Sequence, residues 1–209
     1  MIGALARLFG PRKRKAVVPL RSPRWVVVDC ESSGLNPARD RLLSIGAVAL
    51  REGRVDTAQC FSAVLRQEQA SAADNILVHG IGAEAQLGGG DPAAALQAFA
   101  AFIADSPPVA FHAAFDRALL ERAIPGWKRR WLDLAELAPA LFPGPARSCR
   151  SLDDWLAAFA IPHLARHDAL ADAYATAQLL LVLLAEAERQ GFASADDLFT
   201  AARGHRWLG

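Results

Sequence analysis

Cysteine is scarce in this chain of 209 residues: only Cys30, Cys60 and Cys149 occur, widely spaced and with no CxxC pair. That scarcity argues against a zinc cluster, which needs closely paired thiols, and against a secreted disulfide framework. It fits a protein held in a reducing compartment, and the cytoplasm is the expected location. Long apolar runs are missing too, none reaching the ~18 residues that a membrane-spanning helix requires. Acid is absent from residues 1–24, which carry seven Arg or Lys. A secretory signal places its charges ahead of an apolar stretch; here the apolar start precedes the run Arg12-Lys13-Arg14-Lys15. No internal repeat is present, and Gly88-Gly89-Gly90 lacks the helix and lysine of a phosphate loop, leaving it as a flexible join.

What is there fits a globular protein with one main domain and a sizeable core, 53% hydrophobic and 22% charged. Removing the seven basic residues of the first 24 from the total of 23 leaves 16 against 22 acids, so residues 25–209 sit near −6. A basic tail is thus joined to an acidic body. Such a body cannot grip a polyanion by bulk charge and would bind phosphate locally, through metal ions. The expected organisation is a basic tail over 1–24, a main domain over 25–190 and a C-terminal helical extension over 191–209.

The stretch Trp25–Gly34, WVVVDCESSG, predicts a buried strand ending in a Ser/Gly turn. Arg41–Leu50 and Gln59–Val64 predict two more strands about a turn at Glu52-Gly53-Arg54, giving an antiparallel meander. An Ala-rich helix runs from Asp91-Pro92 to about Asp105, then a short strand over Val109–His112, a helix over Phe115–Ile124 and a short strand over Trp131–Leu134. Pro143–Arg150 is a loop among helices over Leu134–Phe142, Ser151–Phe159, Asp168–Gln190 and Ser194–Arg203. This order predicts an α/β sandwich with a mixed sheet.

Three clusters carry chemistry. Asp29 and Glu31 stand two apart on a strand and so project to one face, where two carboxylates raise each other's pKa unless a cation lies between them. Alone, the pair also reads as a strand end entering a polar turn. Asp29, Glu31, Ser33, Gly34 and Asp40 fall on positions 1, 3, 5, 6 and 12 of a calcium-loop template, but that motif needs helices where this chain has strands. Phe111-His112-Ala113-Ala114-Phe115-Asp116 places Asp116 in the first turn of a helix, where the dipole favours an anion. His167 stands at the entrance of a long helix and Asp172 about one turn in, an acid among Ala and Leu that calls for a partner.

Taken in order, Asp-x-Glu, a later Asp and His-x4-Asp resemble the DEDDh exonucleases of the DnaQ-like family, over roughly Trp25–Leu184. VHGIG at Val78–Gly82, WLDLAELAPALFP at Trp131–Pro143 and SLDDWLAAFAIP at Ser151–Pro162 also look familial. The resemblance implies a ribonuclease H-like fold with a mixed five-stranded sheet flanked by helices. It implies two divalent metal ions, Mg2+ or Mn2+, held by Asp29, Glu31, Asp116 and Asp172, with His167 as general base. An ordinary His pKa near ~6.5 leaves such a base largely neutral at mildly alkaline pH. The implied substrate contacts are Ser32, Ser33, Gly34, Leu35, His79, His112 and Phe115, with a packing role weighed equally for His79. The family stretch HNAxFD is matched to HAAFD, with Ala113 in place of the Asn, and the usual Thr pair is Ser32-Ser33.

The expected activity is 3′→5′ hydrolysis of single-stranded or frayed DNA ends to nucleoside 5′-monophosphates. Association with a DNA polymerase or replication complex, as in proofreading, is the partner the resemblance suggests. The alternatives are an RNA-trimming exonuclease and a module that binds nucleic acid or a polymerase without cutting. The latter would need a lost ligand, and none is lost. Ser194–Phe199, SADDLF, reads as a helix start in preference to a sliding-clamp peptide.

Overall fold

Residues 19–163 and 167–206 are described by the computed structural model of the chain. The run Arg12–Lys15 and most of the expected basic tail lie outside the described residues.

The fold begins as the sequence predicts. Strands β1 (Trp25–Ser32), β2 (Leu42–Arg51) and β3 (Arg54–Val64) form an antiparallel meander, and the β2–β3 turn holds Glu52 and Gly53 at φ of 50° and 69°. Strands β4 (Pro108–Ala110) and β5 (Leu132–Asp133) add in parallel beside β1, giving the order β3-β2-β1-β4-β5. The mixed five-stranded sheet is as expected.

Helix α3 (Pro92–Ile103) starts with Asp91 accepting from the Ala94 N–H and a proline just inside. Helices α4 (Ala113–Ala123), α5 (Leu134–Leu141), α6 (Leu152–Ala158), α7 (Ala169–Arg189) and α8 (Ala195–Arg206) fall within a few residues of their predicted spans. Two short helices, α1 (Ala73–His79) and α2 (Ala83–Leu87), have no counterpart in the sequence expectation, and a 3-10 turn, Pro145–Arg147, lies in the predicted loop. Neither α1 nor α2 has a side-chain cap, so the usual starting signal is missing.

Side-chain alternation along β1 divides the core in two. Trp25 and Val27 face one layer with α5, α6, α7 and α8, while Val26, Val28 and Cys30 face the other with α3 and α4. Asp29 and Glu31 continue the first series and therefore lie on the α7 side. Helix α7 has the length and apolar character of a membrane span, yet Leu179, Leu180, Leu183 and Leu184 are fully buried against the sheet. Each such leucine contributes roughly 1.5–3 kcal/mol of burial.

Both ends of the domain join this core. Leu20 is buried and its carbonyl accepts from Trp25 Nε1 at 3.0 Å, and Arg21 pairs with Glu188 at 2.7 Å. Leu198 and Phe199 of α8 belong to the α7-side core.

One glycine sets how closely α7 approaches. Gly46 lies opposite Asp29 in the β1–β2 register, and a Cβ there would stand 2.1 Å from the Ala169 carbonyl carbon. The backbone of the first turn of α7 thus rests directly on β2, which brings Asp172 up to Asp29 and Glu31.

Candidate active site

Strand β1 and one helix from each face of the sheet converge at the end of β1. The strand register shifts between Glu31 and Ser32, a bulge that bends the chain out of the sheet just beyond the two acids. Asp172 comes from the first turn of α7 on one side, and Asp116 from the first turn of α4 on the other, both buried.

Asp29, Asp153, His163, His167 and Asp172 line one cleft of about 150 Å3. Ligand atoms of Glu31, His167 and Asp172 all lie within 4.8 Å of one another. Burial raises the Asp29 carboxyl well above its ordinary range, and the charges of Asp116, Asp172 and Glu31 add to that. Glu31 is pushed up to about 8, first by burial and then by Asp172 and Asp116. Asp116 rises to about 7 through burial, against hydrogen bonds from its own N–H, the Cys30 N–H and the Cys30 thiol. Asp172 is also raised by burial, opposed by His163. The four predicted metal-ligating acids are thus one electrostatic unit. At neutral pH a protein with this cluster holds protons or takes up cations.

The two helix entrances beside the cluster use the same device. His112 and His167 both adopt left-handed backbone, with φ of 61° and 60°. A non-glycine residue there costs roughly 1–3 kcal/mol, a strain typical of functional sites. The His167 N–H donates to Asp172 Oδ2 at 2.9 Å, which fixes the turn carrying the exposed imidazole. Asp168 caps α7 by accepting from the Ala171 N–H at 2.9 Å and adds further negative charge near Asp29 and Glu31.

His163 and Asp153 were missed in the sequence. His163 Nε2 contacts Asp172 Oδ1, and its Nδ1 lies 3.2 Å from Asp153 Oδ1. Asp153 lies within the familial stretch Ser151–Pro162, and His163 falls one residue past its end and carries no spacing signal. Cys30 packs among apolar residues and also touches Asp116 through its thiol.

The predicted substrate contacts separate into groups. Ser32, Ser33, Gly34 and Leu35 form one turn, internally bonded: Ser32 Oγ donates to the Gly34 carbonyl at 2.6 Å, and Ser33 Oγ accepts from the Arg41 N–H at 2.9 Å. Asn75 of α1 donates to the Ser33 carbonyl, and Arg122 donates to the carbonyls of Pro37 and Asp40. Leu35 is 93% exposed at the tip of this braced turn, and α1, tied to it, exposes Leu77 and Val78. His79 is buried with both ring nitrogens used, Nδ1 accepting from the Ile81 N–H at 3.0 Å and Nε2 meeting Ser71 Oγ at 3.1 Å. It takes the packing role. Phe115 packs against the α3–α4 core layer.

His112 does not line the carboxylate cleft; it opens onto a second groove, between α4, β5 and α8. Its position also corrects the match to HNAxFD. Counting that six-residue pattern back from Asp116 puts His112 at the Asn and Phe111 at the His, with Ala113 at the pattern's own Ala. The left-handed backbone explains the exchange, since Asn and His are both enriched there.

A mixed sheet of this order with acids clustered at the end of its first strand defines the ribonuclease H-like class. Solved members share the fold. The Escherichia coli exonuclease I complex with a dT13 oligonucleotide matches with a TM-score of 0.68 at 17% identity, covering 81% of this chain and 42% of that one. Exonuclease X in complex with 5′ overhanging duplex DNA matches with a TM-score of 0.64 at 22% identity, covering 85% of this chain and 99% of that one.

Sequence carries the assignment further: the chain belongs to the exonuclease family RNase_T, which matches residues 26–180. It is 30% identical over 203 residues to the DNA polymerase III subunit epsilon-like protein of Rhodobacter capsulatus, covering 94% of this chain and 29% of that protein. It is also 30% identical over 162 residues to the PolC-type DNA polymerase III of Thermotoga maritima, covering 75% of this chain and 12% of that protein. The chain therefore spans less than a third of the length of these curated relatives. The resemblance to DnaQ-like exonucleases is borne out.

Proposed function

We propose that this protein is a metal-dependent 3′→5′ exonuclease that releases nucleoside 5′-monophosphates from single-stranded or frayed 3′ ends, with DNA as the favoured substrate. The observation that carries the reading is the cluster of Asp29, Glu31, Asp116 and Asp172, whose carboxyls are all raised by burial, those of Asp29 and Glu31 also by the charges of Asp116 and Asp172.

An oxygen-only donor set of this kind fits hard divalent cations such as Mg2+ or Mn2+. Asp29, Glu31, Asp116 and Asp172 would hold two of them. When bound, the ions supply Lewis acidity toward a phosphodiester and neutralise charge at the attacking and leaving oxygens. His167 accepts the proton of the attacking water at its imidazole, which is exposed and close to Glu31 and Asp172. Asp172 positions that imidazole through the His167 N–H. The braced turn Ser32-Ser33-Gly34 receives the terminal nucleotide, with Leu35 against its base. His79 acts there only by holding Ile81 in place, and Phe115 by fixing α4.

The assay is hydrolysis of 3′-labelled DNA and RNA oligonucleotides side by side with Mn2+. Asp29→Ala, Asp172→Ala and EDTA are each expected to abolish cleavage. Undiminished hydrolysis by Asp29→Ala would sink the two-metal assignment, and faster trimming of RNA would move the substrate to that class. The polymerase names of the relatives support association with a replicative polymerase, tested by co-purification. Free thiols at Cys30, Cys60 and Cys149 suit the cytoplasm.

A further inference from the structure

The groove onto which His112 opens has no part in the steps above. Its volume is about 460 Å3, within the ~300–1,000 Å3 of ligand clefts. Arg117, Arg129, Arg130 and Arg203 line it against two carboxylates, Asp133 and Glu136, a balance of 4 − 2 = +2. That balance stands on a body near −6, from 16 basic and 22 acidic residues. The concentration is local and selective.

Asp133 is turned to structural use, its Oδ1 accepting from the N–H groups of His112 and Ala135, each at 3.0 Å. Arg130 pairs with Asp196 at 2.5 Å, and Arg129 more loosely with Asp105 at 3.9 Å. Among the described residues, Arg117 and Arg203 have no ion-pair partner; Arg203 only donates Nε to the Phe199 carbonyl at 3.2 Å. Two guanidinium groups thus face the groove with their charge uncompensated.

Aromatic surface lines the same groove. Trp131 lines the groove, and the Arg130 guanidinium lies 3.8 Å over the Phe199 ring. Trp131 Nε1 and Arg129 Nε are buried donors with no acceptor. A ligand carrying both anionic oxygens and flat rings would meet the unpaired guanidinium groups and the aromatic surface of the groove.

We propose that this groove binds the single strand of nucleic acid upstream of its terminal nucleotide, with phosphates on Arg117 and Arg203 and bases against Trp131 and the Arg130–Phe199 stack. Continuity favours this occupant over an acidic protein. His112 and Ala113, which line the groove, open the same helical turn that carries Asp116 to the carboxylate cluster. A strand whose 3′ end meets those acids therefore has the groove beside it. The proposal rests on the exonuclease reading for the direction of the strand.

The test compares wild type with the double variant Arg117→Ala/Arg203→Ala on two substrates. One is the p-nitrophenyl ester of thymidine 5′-monophosphate, too short to enter the groove; the other is 3′-labelled dT16. The ester should be hydrolysed at an unchanged kcat/KM, while KM for dT16 rises about tenfold. Anisotropy of labelled dT16 in EDTA should lose about 1.4 from its log–log salt slope, ~0.7 for each phosphate contact removed. The variant with Lys at both positions should recover most of that slope. If the double variant does not fold, Arg117→Gln alone decides, with an expected loss of about 0.7. Unchanged dT16 binding overturns the proposal and leaves the groove to an acidic partner. Should wild type cleave nothing, the activity reading fails while the anisotropy still decides the groove.

Discussion

Glu31→Gln should stabilise the metal-free protein, and the gain should depend on pH. The folded state holds the Glu31 proton up to about pH 8, whereas its ordinary value is 4.5. Between those values the native state binds more protons than the unfolded chain, so stability falls as pH rises across that window. Below pH 4.5 the carboxyl is protonated in both states and adds no penalty; above pH 8 the penalty is complete. At ~1.36 kcal/mol per pH unit the full gap is about 5 kcal/mol. Glu31 keeps some solvent contact, so about half of that, ~2–3 kcal/mol, is the measurable gain. For a domain of this size it corresponds to a Tm higher by about 5–10 °C.

The assay is thermal and urea unfolding of wild type and Glu31→Gln in EDTA, from pH 4 to pH 9. The difference between the two proteins carries the result, because surface carboxylates such as Glu186 and Asp154, held below their ordinary values by hydrogen bonds, cancel in it. That difference should be near zero at pH 4 and full at pH 8. Saturating Mn2+ should then stabilise wild type far more than the variant, by ~2.7 kcal/mol at a hundredfold excess over Kd. A variant no more stable than wild type at pH 8 in EDTA would refute the account of the cluster.

Three further outcomes are expected. His167→Ala should lower kcat at least ~100-fold with little change in Mn2+ affinity, as for loss of a general base; near-wild-type rates across pH 6–9 would remove it from that role. His163→Ala frees Asp172 Oδ1 from a charge-assisted contact of ~1.5–3 kcal/mol, so Mn2+ binding followed by tryptophan fluorescence should tighten up to about tenfold. Weaker binding would show instead that His163 supports the site. Gly46→Ala sets a Cβ 2.1 Å from the Ala169 carbonyl carbon and should push α7 outward. The expected cost is ~1–3 kcal/mol of stability and a loss of cleavage out of proportion to it, measured by urea unfolding beside the exonuclease assay.

The legible part of this fold is the part governed by short-range pattern. WVVVDCESSG holds β1, which ends at Ser32, and the turn after it, and α3, α6 and α7 begin at Asp91, Ser151 and Asp168, whose side chains accept from the first-turn N–H groups. Helices α1 and α2 escaped because they lack caps and are set by long-range contacts, such as Asn75 on Ser33 and Gln86 on Ser71. In the site, the acids could be read because four carboxylates in a fixed order have few other uses. His163 could not, since only the folded path of the chain brings it against Asp172. Gly46 was equally silent: a glycine inside a strand signals a close approach without saying what approaches.

The assembly of the cluster from both faces of the sheet has a consequence for the protein's life before it is complete. Asp29 and Glu31 sit in the middle layer, Asp116 arrives with α4 and Asp172 with α7. No fragment ending before residue 172 holds all four acids, and no collapsed state with only one helical layer docked brings them together. On the proposed reading, a nascent or half-unfolded chain would therefore be a poor hydrolase, and cleavage would begin only once the two layers have closed on the sheet.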